Sequence, residues 1–364
     1  MILPPSPSIS NANDSAIEEE ASELFEHYRF TIDRGQTPIR IDKYLAAHIE
    51  GISRSRIQNA AEADYILVNN LAVKASYLVK PFDQISIVMP YRRRGVEIIP
   101  QEIPLDIVFE DPDLLVINKP AGLVVHPGHG NYSGTLINGI AWHLGIRNNV
   151  EGDERMGMLV HRIDKNTSGL LVVAKTEEAQ FGLSRQFYNH IVQRIYLALA
   201  WGNLPNDHGS INYSICRDPG DRTRFKAVGH GGLGVPLSLN THDAIGKQAV
   251  THYQVLERFG YVSLISCRLE TGRTHQIRVH LQAIGHPLFN DERYGGDQIR
   301  SGTLFSKFKE FVENCFKVMP HHALHAETLG FIHPKTKEKL HFSVPLPKDF
   351  MQVLNRWRNY GVRL

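Results

Sequence analysis

Short apolar runs, each bounded by turn residues, recur along the chain from residue 104 onward. Residues 105–110 and 114–118 flank the turn Asp111-Pro112-Asp113, which is the pattern of a β-hairpin. Two further runs, 158–160 and 170–174, enclose a polar turn and predict a second pair of buried strands. We therefore predict a large, strand-rich domain over residues 104–364.

Apolar positions at helical spacing lie between these runs. They predict a helix over residues 177–190, another that begins near Thr274, and a closing helix over residues 350–358. Residues 193–199 instead alternate apolar and polar side chains, which predicts a strand with Tyr196 on the face opposite the aliphatic residues. Strands and helices mixed in this way predict the α+β fold class.

Residues 37–90 have the pattern of a smaller unit. Two helical runs, 40–49 and 53–61, come first. A short hairpin with Asn70 in its turn follows, and then a strand over 84–89. A unit of roughly fifty residues is near the lower size limit for an independent core.

Composition and charge add a leader and a linker to these two predicted domains. A length of 364 residues leaves room for two domains, and 42% hydrophobic and 21% charged residues are ordinary for a globular protein. The net charge of +2 is unevenly spread, because residues 1–36 contain seven acidic and two basic residues. We expect residues 1–36 to be a disordered acidic leader, and residues 91–103, which include three consecutive arginines, to be a basic linker.

Several classes of protein are excluded at this stage. No apolar run approaches the roughly 20 residues that span a bilayer, and the N-terminus lacks the pattern of a secretory signal. The three cysteines have neither disulfide nor metal-site spacing, which favours a reducing compartment. We therefore expect a cytoplasmic protein without membrane contact.

Two other patterns suggest a cofactor or a metal, but the residues around them do not support either. Residues 229–234 spell GxGxxG, but Pro236 follows rather than a helix, so a dinucleotide site is not predicted. The three histidines at 321, 322 and 325 suggest zinc, but no cysteine or acidic residue has suitable spacing. We predict neither a cofactor nor a metal, and assign no role to the segment 229–245.

The stretch from His161 to Leu171 contains the strongest candidate for chemistry. Asp164 lies in a polar turn between two predicted strands, with Arg162 and Lys165 within two positions. Nearby positive charge keeps a carboxylate ionised even in a dry site, and such a carboxylate can act as a nucleophile. The alternative is an ordinary capped turn in which Asp164 only accepts hydrogen bonds from backbone amides.

This stretch resembles the signature of pseudouridine synthases of the RluA/RluD type, with Ile163 where the family has Leu. Residues 271–280, Thr-Gly-Arg-Thr-His-Gln-Ile-Arg-Val-His, resemble a second family motif almost letter for letter. Shorter matches complete the resemblance, at residues 119–127, 194–198, 285–295 and 324–334. The resemblance implies a large mixed, mainly antiparallel β-sheet with flanking helices and a central cleft.

The resemblance also implies roles for individual residues. Asp164 would attack the sugar or the base, or take up a sugar proton, while Tyr196 would pack on the flipped uracil. Arg273 would pair with Asp164 and hold it ionised, and Arg162 would occupy the space that the flipped base leaves. The other implied substrate-binding residues are His161, Ile277, Lys119 and His126. Because the reaction consumes no electron, phosphate or group carrier, no cofactor is expected.

The small unit over 37–90 resembles the alpha-L RNA-binding module. The family usually has Gly where Asn70 and Phe82 stand. Arginines at the start of its second helix could bind a phosphate jointly with backbone amides. The implied RNA-binding residues are Arg40, Lys43, Arg54, Arg56, Lys74 and Lys80.

These resemblances make a monomeric enzyme acting on bacterial large-subunit ribosomal RNA, in the pre-ribosomal particle, the leading hypothesis, with transfer RNA as the alternative substrate. A non-catalytic RNA-binding protein of ribosome assembly is a second hypothesis, against which the intact Asp164, Tyr196 and Arg273 speak. A glycoside hydrolase or nucleosidase is a third, but the matched motifs lack a second acid.

Overall fold

The computed structural model describes residues 25–49, 52–89, 98–127, 131–146, 159–221, 223–229, 246–303 and 305–361. They form a small N-terminal unit followed by a larger one, in the order that the sequence predicts. No helix in these ranges is both long and apolar enough to cross a membrane.

The N-terminal unit packs two helices on a four-stranded sheet. Its elements are β1 (Phe25–Thr31), α1 (Ile41–His48), α2 (Arg54–Glu62), β2 (Ile66–Val68), β3 (Leu71–Ala72) and β4 (Gln84–Met89), with the strand order β1-β4-β2-β3. The hydroxyl of Ser53 caps α2 by accepting a hydrogen bond from the backbone N–H of Arg56. Asn70 and Phe82, at the two positions where the family usually has Gly, both have positive φ, 67° and 68°. The turns therefore keep the backbone that glycine favours.

The structure corrects the predicted leader at its C-terminal end. Residues 25–31 form β1, an edge strand that pairs antiparallel with β4. Tyr28 and Phe30 pack against the core of the unit, and such aromatic residues favour strands in spite of the acidic composition. Residues 1–24 of the leader and 91–97 of the basic linker lie outside the described residues.

The second unit is built on one ten-stranded sheet. Its strands are β5 (Ile107–Glu110), β6 (Leu114–Lys119), β7 (Ser168–Ala174), β8 (Gln193–Trp201), β9 (His208–Arg217), β10 (Phe225–Val228), β11 (Lys247–Arg258), β12 (Val262–Leu269), β13 (Leu324–Ile332) and β14 (Lys339–Ser343). They lie in the order β10-β9-β11-β12-β8-β13-β7-β6-β5, and β14 pairs with β13. The pair β13–β7 is parallel and the other pairs are antiparallel, which confirms the mixed, mainly antiparallel sheet.

Five helices flank this sheet: α3 (Leu136–His143), α4 (Glu177–Tyr188), α5 (Gln276–Ala283), α6 (Ser306–Val318) and α7 (Lys348–Gly361). The helices predicted over 177–190 and 350–358 are present as α4 and α7, and α5 begins two residues after the predicted position. Apolar residues of α3, α4 and α5 pack on the sheet in one large core. The helices α6 and α7 pack on β8 and β12 through a separate aromatic cluster.

Helix α4 also joins the two units. Phe181 belongs to the core of the N-terminal unit and lies 5.9 Å from Tyr65, between ring centroids. On the same helix, Arg185 donates to the backbone oxygen of Glu62 and to the carboxylate of Asp64. These contacts fix the small unit against the helix that packs behind the central strands.

A row of paired residues crosses the middle of the large sheet. Tyr196 of β8 pairs with Ala326 of β13, which pairs with Gly169 of β7, which pairs with Lys119 of β6. Gly169 has φ 110°, and a Cβ built there would lie 2.2 Å from the carbonyl oxygen of Ala326. This close parallel pairing fixes the strand that follows Asp164.

We expect Gly169→Ala to lower the free energy of unfolding by about 2–4 kcal/mol, since it combines a clash with backbone with a strained φ. Urea unfolding followed by tryptophan fluorescence measures this loss. Gly145→Ala is the matched control, because Gly145 also has positive φ but no atom near its Cβ position, and it should lose only about 1–2 kcal/mol. Equal losses in the two variants would contradict the importance of the close pairing.

Candidate active site

Asp164 lies on a loop that enters β7. Of the strand predicted over 158–160, residue 158 lies outside the described residues, Leu159 makes an isolated bridge to Val173, and Val160 belongs to no strand. His161 compensates for the missing ladder, because its Nε2 accepts a hydrogen bond of 3.0 Å from the backbone N–H of Val172. Its ring also stacks on Phe187 at 4.3 Å.

Buried side chains hold the rest of this loop. The ammonium group of Lys119 donates to the backbone oxygens of Pro120, Leu123 and Lys165, at 2.8–2.9 Å. The hydroxyl of Thr167 and the Nε2 of His322 are hydrogen-bonded at 2.9 Å. With both ends of the loop fixed to the sheet in this way, the carboxylate of Asp164 is presented from a rigid support.

The guanidinium group that pairs with Asp164 belongs to Arg278 and not to Arg273, so the predicted pairing is wrong. Nη1 of Arg278 donates to Oδ2 of Asp164 at 2.9 Å. Nε and Nη2 of the same group bind both oxygens of Asp291, at 2.8 and 2.9 Å. Arg273 precedes α5, and its Nε donates to the backbone oxygen of Gln248 instead. Arg278 is the third residue of α5 and is buried.

This arrangement keeps Asp164 ionised. Burial alone would raise the pKa of Asp164, but His275 and the Arg278 guanidinium lower it below its usual range. Burial also lowers the pKa of His275, to about 3, so its imidazole is neutral at physiological pH and the standing positive charge is that of Arg278. Although burial opposes it, hydrogen bonding to Asp291 raises the pKa of Arg278 above its ordinary value.

His275 is a residue that the sequence analysis did not single out. Its Nε2 lies 3.8 Å from Oδ2 of Asp164, and its Nδ1 is hydrogen-bonded to the hydroxyl of Tyr294 at 2.8 Å. Its backbone has φ 55°, a left-handed conformation that is uncommon outside glycine and that tends to occur at functional sites. His275 and Arg278 both lie in the motif at 271–280. The motif could therefore have drawn attention to them, but it does not show that they contact Asp164.

Most of the predicted substrate-binding residues lie around a single cavity. Its lining includes Asp164, Tyr196 and Arg273, together with His161, Arg162 and Ile277. Burial raises the pKa of Tyr196, which keeps its hydroxyl protonated, and burial lowers the pKa of His161 to about 3. The side chain of Asp164 is 24% exposed and lines the cavity.

Two predicted substrate-binding residues are placed elsewhere. Lys119 is fully buried beneath the Asp164 loop, where burial lowers its pKa to about 7 although Asp164 opposes the shift. His126 is half-buried, its Nδ1 lies 2.9 Å from the backbone oxygen of Pro127, and it is not part of the described cavity lining. Lys119 thus supports the loop and does not face a ligand.

The predicted RNA-binding arginines of the small unit are engaged within the protein. Arg40 and Arg54 both donate to the buried carboxylate of Asp42, at 2.9–3.1 Å, and each side chain stays more than two-fifths exposed. Arg56 is ion-paired with Glu177 of α4 at 2.9 Å, so it helps to join the two units. The predicted lysines Lys43, Lys74 and Lys80 are exposed as well.

The three histidines that suggested zinc all have other partners. His322 pairs with Thr167, His325 with Ser168 at 2.8 Å, and His321 with Asp349 at 2.9 Å. Asp111, Asp113 and His333 form a different cluster near the β5–β6 turn. There His333 and Asp111 are already hydrogen-bonded at 2.9 Å, which joins that turn to the end of β13.

Comparison with known proteins assigns the family. Residues 113–283 match the RNA pseudouridylate synthase family and residues 39–85 match the S4 domain. An uncharacterized RNA pseudouridine synthase of Chlorobaculum parvum is 43% identical, over 90% of this chain and 96% of its own length. The large-subunit pseudouridine synthase D of Zymomonas mobilis is 40% identical, over 86% and 92%. The structure of the human RNA pseudouridylate synthase domain containing 4 superposes with a TM-score of 0.52 at 25% identity, over 69% of this chain and 92% of that one.

These relatives are similar over nearly their whole length, and both Asp164, with its loop, and its partner Arg278 lie within the residues that match the synthase family. The chain therefore belongs to the RNA pseudouridine synthases, isomerases that act on RNA, and its N-terminal unit is an S4 RNA-binding domain.

Proposed function

We propose that this enzyme isomerises specific uridines of bacterial large-subunit (23S) ribosomal RNA to pseudouridine, acting as a monomer in the cytoplasm. The observation that carries the proposal is the Arg278–Asp164 pair in a cavity that Tyr196 also lines. Relatives named large-subunit pseudouridine synthase D, from three bacterial species, align over 86–96% of the chain and support the substrate class.

The chemistry follows from the charges in the cavity. The ionised carboxylate of Asp164 attacks the nucleotide, or takes up a sugar proton, once the uridine has left its stack. Tyr196 stands where it can pack on the uracil, and Arg162, at the cavity edge, fills the space that the base has left. Buried groups around the loop keep the carboxylate in place, so the geometry needs no rearrangement during the reaction.

The S4 domain supplies affinity for the RNA backbone. Lys43, Lys74 and Lys80 are its exposed candidates for phosphate contact, joined by Arg40 and Arg54 beside Asp42. Since α4 fixes the domain to the catalytic unit, its contacts also orient the RNA toward the cavity.

Nucleotide-resolution mapping of pseudouridine tests the substrate. Carbodiimide mapping of total RNA from strains with and without the gene should show that one or a few sites disappear from 23S ribosomal RNA alone, and that they return on complementation with the wild-type gene but not with Asp164→Asn. Loss of sites from transfer RNA instead would establish the alternative substrate. An unchanged map would favour the non-catalytic role in ribosome assembly.

A further inference from the structure

Arg194 is a buried arginine without a partner in the catalytic cavity. Only 8% of its surface is exposed, and it lines the same cavity as Asp164 and Tyr196. Its Nε is buried and has no hydrogen-bond partner, and no carboxylate of the described residues contributes to the shift of its pKa. Burial lowers the pKa of Arg194 below its ordinary value. A buried, unpaired cation is unfavourable for the folded protein, so a ligand is the natural source of its missing partner.

The position of the guanidinium group is set by packing alone. Arg194 lies two residues before Tyr196 on β8, so both side chains project from the same face of the sheet. Its guanidinium carbon lies 5.6 Å from the centroid of the Phe187 ring. On the other side Gly272 leaves the space it needs, since a Cβ there would lie 2.5 Å from Nη1. The buried Nε donor therefore has no hydrogen-bond partner in the absence of RNA.

The neighbouring acid does not use these donors. Asp164 has its guanidinium partner in Arg278, which Asp291 fixes from behind. Arg278 and Arg194 are thus held separately, Arg278 by carboxylates and Arg194 by an aromatic ring. A second cation that the catalytic carboxylate does not need is available for the substrate.

We infer that Arg194 forms an anion subsite, inside the catalytic cavity, for the phosphate that adjoins the target uridine. This inference rests on the proposed function, because it requires an RNA nucleotide in the cavity. The backbone phosphate is the only group of the RNA that carries a full negative charge before the reaction, and it matches the fork of guanidinium donors. The alternative ligand, a uracil carbonyl oxygen, would accept a hydrogen bond but leave the charge uncompensated.

Binding and single-turnover measurements with an Arg194→Gln variant test the subsite. The probe is a stem–loop RNA that contains a uridine which the wild-type enzyme is seen to modify, so an error in the proposed substrate class is detected before this step. We expect Kd to rise by about 10-fold or more, and the slope of log K against log salt to fall by about one phosphate contact. The single-turnover rate at saturating enzyme should stay within about threefold of wild type, since the contact acts in binding.

Replacement of the phosphate on one or the other side of the target uridine by a neutral methylphosphonate shows which phosphate Arg194 binds. At one of the two linkages it should weaken binding by the wild-type enzyme by about 10-fold, yet change binding by Arg194→Gln less than about twofold, because the variant has already lost that contact. Lys74→Gln is the matched control: it also removes a cation, but should remain fully sensitive to the methylphosphonate. Gly272→Ala, which displaces the guanidinium group, should reproduce the effect of Arg194→Gln in part.

Stability separates this role from a structural one. Removal of an unpaired buried charge should leave the thermal midpoint of Arg194→Gln unchanged or raise it, whereas a structural arginine would lower it. The inference is overturned by a lowered midpoint, by unchanged Kd and salt slope, or by equal methylphosphonate sensitivity in variant and wild type. A slower chemical step with unchanged Kd would place Arg194 on the uracil and would equally overturn the phosphate assignment.

Discussion

Asp164→Asn should abolish pseudouridine formation while leaving RNA binding intact. The substitution keeps the shape of the side chain and an oxygen for the Arg278 hydrogen bond, but it removes the negative charge on which attack or proton uptake depends. We expect the single-turnover rate to fall by at least about 10⁴-fold, the size of loss typical when an enzyme loses its reacting group. Tritium release from 5-tritiated uridine in RNA measures the rate, and a filter-binding assay measures Kd.

The fold of this variant should be maintained. Arg278 keeps both hydrogen bonds to Asp291, so removal of the Asp164 charge leaves no buried guanidinium without a carboxylate. Asp207→Asn is a suitable control, because Asp207 is an exposed acid. Its ion pair with Arg258 of β11 is on the surface and contributes little to stability. Turnover retained in Asp164→Asn, or lost equally in Asp207→Asn, would remove Asp164 from its proposed role.

The sequence allowed the architecture and the position of Asp164 in a loop before a buried strand to be predicted, because both depend on local pattern. Alternation and turn residues marked the β5–β6 hairpin and β8, and a polar turn between apolar runs marked Asp164. The strand β1 was missed, since an acidic composition conceals aromatic residues that complete a sheet edge sixty residues away in the sequence.

The partners of the carboxylate could not be predicted in this way. A charged residue within a helix is normally assigned to solvent, yet every residue from Gln276 to Leu281 is buried, because α5 packs against the sheet. Arg278 is stable there because Asp291, on a separate turn, accepts two hydrogen bonds and Asp164 accepts a third. The family resemblance implied a substrate contact for Lys119, whereas its ammonium group donates to the backbone oxygens of Pro120, Leu123 and Lys165. Such contacts depend on tertiary structure, which local sequence does not specify.

Substitutions of Arg278 and of Arg273, the two arginines of the 271–280 motif, should differ in their effects on the reaction rate. Arg278→Lys keeps a positive charge but cannot make three directed hydrogen bonds to two carboxylates, so Asp164 loses its fixed position. We expect a fall of about 10²–10³-fold in the single-turnover rate, a loss comparable to that of an essential electrostatic group. Arg278→Gln should also lower the free energy of unfolding by about 3–5 kcal/mol, because it leaves Asp291 buried and unpaired.

The pH profile distinguishes loss of this pair from a general defect. In the wild-type enzyme the pKa of Asp164 is below its usual range, so the carboxylate stays ionised and the rate should show no acid limb from it at mildly acidic pH. Without the Arg278 guanidinium, Asp164 loses the standing positive charge beside it and burial shifts its pKa upward, so Arg278→Gln should lose residual activity at mildly acidic pH, where the wild-type enzyme does not. Arg273→Gln, measured in parallel, should keep the flat profile and a rate within about tenfold of wild type, because its Nε is directed to Gln248. If Arg273→Gln acquires the acid limb and Arg278→Gln does not, the electrostatic control of Asp164 belongs to Arg273 after all.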